Sequence, residues 1–173
     1  MASIPVAFWL VPAEPDHRAL SQRIAALAAE HDAPLFEPHI TLHVGRLADG
    51  ESLESLLSQV ARTAAPLTLI AGATAHSDQL FKALYVEFDD PQLHRIHRAL
   101  RERLSAPSDY TLAPHLSLLY KRLPQPQREA LAQRQRLAGQ PIAFDTLVAV
   151  RPAAGRSDLS EVAGWDTTLR CGL

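Results

Sequence analysis

One short pattern occurs twice in this chain and constrains its fold more than any other feature. "FEPHITL" (Phe36 to Leu42) and "LAPHLSL" (Leu112 to Leu118) both read Pro-His-apolar-hydroxyl-Leu, with His39 and His115 76 residues apart. The upstream elements repeat at about the same spacing. An apolar strand from Ile4 to Val11 corresponds to one around "LFKALYVEF", and a helix over "PDHRALSQRIAALAAEH" to one over "DPQLHRIHRALRERL". Two copies fall short of a solenoid, which needs at least three. They imply two related lobes about a pseudo-two-fold axis, with matching residues facing each other across it.

The remaining elements complete an α+β pattern. Residues from Leu53 to Ala64 and "PQPQREALAQRQRL" have helical character, and "IAFDTLVAV" and "WDTTLRC" are closing strands. "PLTLIAGATAH" is a strand with a bend at Gly72, and "RPAAGRSDLS" is the most loop-like segment. Asp16 is a candidate N-cap for the first helix, and Asp90 followed by Pro91 caps the third. Several strands follow one another directly, so the expected fold is bilobal, with mostly antiparallel sheets lining a central cleft and helices outside. At 173 residues the chain fits a single unit, 1–173, with motif strands near 38–44 and 114–120.

On a strand, side chains i and i+2 share a face. His39 then points the same way as Thr41, and His115 the same way as Ser117, while Ile40, Leu42, Leu116 and Leu118 point into the core. Each lobe thus offers one imidazole and one hydroxyl to a shared cleft. Near pH 7 one imidazole can be neutral and the other protonated. The neutral ring can take a proton from water and the protonated ring can give one to a leaving ribose oxygen. The hydroxyls can donate to phosphate oxygens where negative charge grows. This suits the opening of a cyclic phosphodiester without a metal or other cofactor. Counting by two also puts His43 on the cleft face. As a metal pair with His39 it would be stretched, about 6.5–7 Å by strand rise, and without an evident third ligand. It therefore reads as a solvated residue or a contact at the cleft rim.

The pair "HITL" and "HLSL" in a duplicated chain resembles the two-histidine (2H) phosphoesterase superfamily, whose signature is two His-x-Thr/Ser motifs. Within it, "VAFWLVPAEPD", "FEPHITL", "LFKALYVEF" and "APHLSLLY" resemble the cyclic phosphodiesterase branch, the similarity weakening after about Gln125. The resemblance implies hydrolysis of ADP-ribose 1″,2″-cyclic phosphate and of nucleoside 2′,3′-cyclic phosphates, the latter to 2′-phosphates. It makes His39 and His115 the proton-transfer pair and Thr41 and Ser117 the phosphate holders. It adds Tyr120 at the phosphate and Phe81 beside the base. His115 is assigned as the base and His39 as the acid, an order that the pseudo-symmetry leaves open. Tyr120 is out of step with His115 in the count by two, so a bulge or the strand end must turn it into the cleft.

Bulk properties narrow the alternatives. A formal net charge of −2, with Lys82 and Lys121 the only lysines, argues against an extended basic groove for an RNA chain, as an RNA 2′,3′-cyclic phosphodiesterase or 2′-5′ RNA ligase would have. An RNA 3′ end remains a candidate partner beside a small cyclic nucleotide. A non-catalytic nucleotide-binding module would have no chemical use for two matched imidazoles. Cys171 is the only cysteine, which excludes an internal disulfide and a cysteine zinc site. The proline-broken start, "MASIPVAFWLVP", reads as a strand rather than a signal peptide, and no apolar run approaches membrane-span length, so the expectation is a cytoplasmic protein with no membrane partner. A cleft made within one chain needs no second subunit, so a monomer is expected. His94 and His97, and Arg98, Arg101 and Arg103, read as an exposed helix face. Trp9 and Trp165 read as core, Trp9 with a possible role near the base. Lys121 and Arg122 read as a surface loop.

Overall fold

The computed structural model describes residues 3–106, 108–151, 162 and 165–173; most of the segment read as a loop, 152–160, lies outside them. β1 (Ile4–Pro12) and β2 (Ile40–Leu47) flank α1 (Asp16–His31), and β5 (Leu84–Glu87) and β6 (His115–Leu119) flank α3 (Pro91–Arg103). Between these halves lie α2 (Leu53–Ala61), β3 (Leu67–Ile70) and β4 (Thr74–His76). After them come α4 (Gln125–Arg134), β7 (Pro141–Arg151) and β8 (Asp166–Gly172). The strands form one antiparallel sheet in the order β3-β7-β1-β2-β6-β5-β4, with β8 also pairing β7. The result is the expected α+β fold, its sheet curled into a half-barrel.

β3 and β4 are consecutive in the chain yet stand at opposite ends of the strand order. The single bent strand expected over this stretch is thus two strands, and Gly72 is the crossing between them. Its N–H donates to the Glu87 carbonyl at 2.8 Å, while Ala71 exchanges bonds with Gln140 and Gly139 at the other end. A Cβ on Gly72 would lie 2.8 Å from the Glu87 carbonyl oxygen, so only glycine lets the two backbones approach this closely.

β1 carries an almost unbroken apolar run because both of its faces are covered. Val6, Phe8 and Leu10 enter the main core, and Ala7, Trp9 and Val11 join Val148, Val150 and Trp165 in a second apolar cluster. Helices close the convex side, each over the other half's motif strand: α1 packs on β6 and α3 on β2. Ser52 caps α2 by accepting from the Ser55 N–H, and Asp90 caps α3 by accepting from the Gln92 N–H, each contributing about 1 kcal/mol.

Two local expectations are corrected. Pro15, not Asp16, stands at the N-cap of α1; Asp16 is the first helical residue, and its carboxylate accepts from the Ala143 N–H, tying the helix to β7. "LFKALYVEF" is not one strand: Leu80–Lys82 forms a 3₁₀ turn, and the strand runs only over Leu84–Glu87.

The strand registers carry the repeat in detail. In the first half Leu10 pairs with Ile40, Trp9 with Thr41 and Phe8 with His43, a shift that leaves Leu42 as an extra residue. In the second half Val86 pairs with Leu116, Tyr85 with Ser117 and Leu84 with Leu119, leaving Leu118 extra. Every one of these positions maps onto its counterpart 76 residues later. Both copies therefore bulge at the same place, three residues past the motif histidine.

Candidate functional site

The two histidines sit at the entrances of β2 and β6, the central strands of the sheet, which pair with each other at Ile40 and Leu116. Each ring is held the same way. The Nδ1–H of His39 donates to the Glu37 carbonyl at 2.6 Å, and that of His115 to the Ala113 carbonyl at 2.7 Å. A carbonyl can only accept, so in the neutral ring Nδ1 carries the proton and Nε2 keeps its lone pair. Both rings line one cavity of about 280 Å³, together with Thr41, Ser117, Tyr120 and Phe81. All six sequence-derived site residues thus meet in one place.

The bulges decide what else reaches this cavity. At Leu118 the alternation slips by one, so Leu118 and Leu119 both enter the core and Tyr120 turns into the cleft. There its ring stacks on Phe36 (centroids 3.7 Å apart) and meets Phe81 edge-on at 5.3 Å. Burial pushes its phenol well above the ordinary range, partly opposed by a hydrogen bond with Ser117. Ser117 also donates to the Phe81 carbonyl at 3.0 Å, which fastens the 3₁₀ turn to β6 and sets Phe81 at the cavity wall.

The same slip at Leu42 overturns the expectation for His43. It does not share a face with His39 and Thr41; it lies on the core side, fully buried, and Val44 takes the place on the cleft wall. His43 is surrounded by His97 (5.0 Å between centroids) and Tyr110 (5.7 Å), and neither of its ring nitrogens has a hydrogen-bond partner among the described residues. Burial, with His97 and Arg101 nearby, lowers its pKa to about 4. His97 is not on an exposed face either: its Nδ1–H donates to the Leu42 carbonyl at 2.8 Å, the group that the bulge takes out of the ladder. Farther along, the hydroxyls of Tyr110 and Ser108 donate to the Thr41 and Val44 carbonyls (3.3 and 2.6 Å), serving β2 where it leaves β6. Lys121 and Arg122 anchor their loop to the Asp32 and Asp78 carbonyls at 2.8 and 3.3 Å.

Two aromatic residues read as core belong to the cavity wall. Trp9 lies flat on His39, with centroids 3.7 Å apart and planes 13° apart. Trp165 meets Trp9, His39 and Tyr120 edge-on at 5.3, 6.2 and 5.9 Å. Nothing in the sequence around "GWDTTL" marks Trp165 for this; the pairing of β8 with β7 brings it there.

Burial disfavours charge on both catalytic candidates. His39 is 6% exposed, and its pKa falls to about 4 despite the opposing Glu37 carbonyl and carboxylate. His115 is lowered by burial and then by Lys82, with the Ala113 carbonyl and Glu87 acting the other way. Among the described residues there is no group of three or more His, Cys, Asp or Glu side chains placed to hold a metal ion. No helix among them is long and apolar enough to cross a membrane.

Comparison with known proteins gives consistent results. The model of the 2′-5′ RNA ligase superfamily matches residues 6–154. No curated protein matches. Among solved structures, LigT of E. coli complexed with 3′-AMP is similar with a TM-score of 0.62 at 15% identity, over 99% of both chains. A Thermus thermophilus protein, TT0787, is similar with a TM-score of 0.61 at 16% identity, over 98% of both.

Proposed function

This chain belongs to the 2′-5′ RNA ligase superfamily, and from that membership we propose that it is a metal-independent cyclic phosphodiesterase acting on nucleoside 2′,3′-cyclic phosphates and ADP-ribose 1″,2″-cyclic phosphate. The observation that carries the reading is the matched pair of imidazoles: both Nδ1–H groups are tied to carbonyls two residues upstream, and both rings border one cavity beside two hydroxyls. A water oxygen attacks phosphorus as the bond from phosphorus to the ribose 3′ oxygen breaks. His115 takes the water's proton, His39 gives one to the departing 3′ oxygen, and the product is the 2′-phosphate. A phosphodiester anion between the rings supplies the opposite charge that favours a proton on the pair, which burial alone disfavours. Thr41 donates to a non-bridging oxygen, and the Ser117 hydroxyl swings to another from the Phe81 carbonyl. Tyr120 adds a third donor. Phe81, with Trp165 beyond it (6.2 Å between centroids), offers an aromatic wall to the base. That the LigT structure was obtained with 3′-AMP supports a nucleotide as the occupant of such a cleft.

The test is a panel of nucleoside 2′,3′-cyclic phosphates, ADP-ribose cyclic phosphate and RNA oligomers ending in 2′,3′-cyclic phosphate, incubated with pure protein in EDTA. Turnover of the nucleoside cyclic phosphates to 2′-phosphates and of ADP-ribose cyclic phosphate to its 1″-phosphate, lost in His39→Ala and in His115→Ala, is expected. Turnover of the oligomers alone would move the assignment to an RNA-end enzyme. Nucleotide binding without any turnover would make it a binding module.

A further inference from the structure

The two motif histidines match in sequence, register and Nδ1 partner, yet their aromatic neighbours treat them differently. Trp9 and Tyr85 hold equivalent positions, Trp9 paired with Thr41 and Tyr85 with Ser117. Trp9 lies parallel over His39, with the ring centres 3.7 Å apart, so the rings overlap almost without offset. A cation over an indole face is attracted, and indole attracts it more strongly than phenol or benzene. Tyr85 instead meets His115 edge-on, with centroids 5.4 Å apart and planes 71° apart, and Lys82 Nζ already lies 4.3 Å from the centre of its ring. In the second half the cation on the aromatic face is a lysine; in the first half His39 is the group in that place.

We propose that Trp9 is a positioning residue that makes the matched histidines unequal: its face favours the protonated form of His39 and so gives that ring the acid's part. The proposal rests on the acid–base reading of the pair. The charged or titratable groups around His39 are few. Glu37 stands at its Nδ1 side, with its carboxylate shared between His17 at 3.2 Å and Arg170, and His115 and Tyr120 line the same cavity. Glu37 also favours the cation, while burial and His115 act against it. The indole face is the aromatic contact that His39 has and His115 lacks. It is 5% exposed and fixed in β1 by the apolar cluster with Val148 and Val150, so its plane does not depend on a ligand.

The test is an NMR titration of the histidine rings in ¹⁵N-labelled protein, with and without inorganic phosphate, in wild type, Trp9→Leu and Trp9→Phe. Leucine keeps His39 dry and removes the π face. In Trp9→Leu the His39 midpoint should fall by about one pH unit while that of His115 moves much less. Trp9→Phe should restore most of the difference, and should fall in the same direction by less if the leucine variant does not fold. With a cyclic nucleotide as substrate, the alkaline limb of the kcat profile should shift to lower pH with the His39 midpoint. A His39 midpoint that stays or rises in Trp9→Leu, or equal shifts of both rings, overturns the proposal. Absence of turnover by the wild type would sink the phosphodiesterase reading, while the titration would still decide whether Trp9 separates the rings.

Discussion

The two motif strands are near copies up to the fourth residue and unlike after it. β2 and β6 each supply a histidine tied to an upstream carbonyl, a hydroxyl two residues on, and a bulge at the following leucine. Beyond the bulge, β2 continues with buried His43 and cleft-facing Val44. β6 continues with buried Leu119 and cleft-facing Tyr120. Across the ladder, Trp9 faces its histidine flat and Tyr85 faces its own edge-on. What the halves share is what a phosphate needs: two proton carriers and two hydroxyl donors. Where they differ is in the walls. A phosphodiester has two similar non-bridging oxygens but unlike organic substituents, and a cleft with symmetric proton chemistry and unequal walls fits that shape.

The comparison makes graded predictions. His39→Ala and His115→Ala should each lower kcat about a thousand-fold. The double variant should be little worse than either, because the rings act as a unit. Steady-state kinetics on all three checks this, and additive losses would mean the rings serve separate steps. Thr41→Ala and Ser117→Ala should each cost about ten- to a hundred-fold in kcat/KM. The exchanged hydroxyls, Thr41→Ser and Ser117→Thr, should recover most of it, since the chemistry asks only for a donor at that register.

The smallest effect concerns the position where the halves disagree most. His43→Leu copies Leu119 into the first half and removes two unpartnered buried nitrogens. It should raise unfolding stability by about 1–2 kcal/mol at neutral pH, read by urea titration. The sign with pH follows from the lowered pKa. Between about 4 and 6.5 the unfolded state binds the proton that folded His43 refuses. That residue's share of stability is full above pH 6.5 and is lost as pH falls toward 4. The variant should lose less stability than wild type over that window, and an unchanged slope would show that His43 finds a proton acceptor in solution.

The repeat, the strand and helix order and the positions of His39, Thr41, His115 and Ser117 were legible because each rests on local spacing, whereas Tyr120 and Phe81 came from the family resemblance. What was not legible sits past the bulges. A bulge inserts one residue without a chemical mark: Leu42 and Leu118 look like any core leucine, so counting by two carried His43 to the wrong face and left Tyr120 needing an extra turn. The roles of Trp9 and Trp165 were hidden for another reason. An indole on a strand reads as core, and only the pairing of β1 with β2, and of β8 with β7, puts these two beside a histidine. His97 likewise serves a carbonyl exposed only by the bulge on another element.

The most direct test of the two-imidazole cleft is the pH profile of kcat/KM for a nucleoside 2′,3′-cyclic phosphate in EDTA. Two histidines sharing one proton, both lowered by burial, predict a bell with its maximum on the acid side of pH 6.5 and a product phosphorylated at the 2′ oxygen. A profile flat from pH 4 to 8, or turnover that EDTA abolishes, would contradict it.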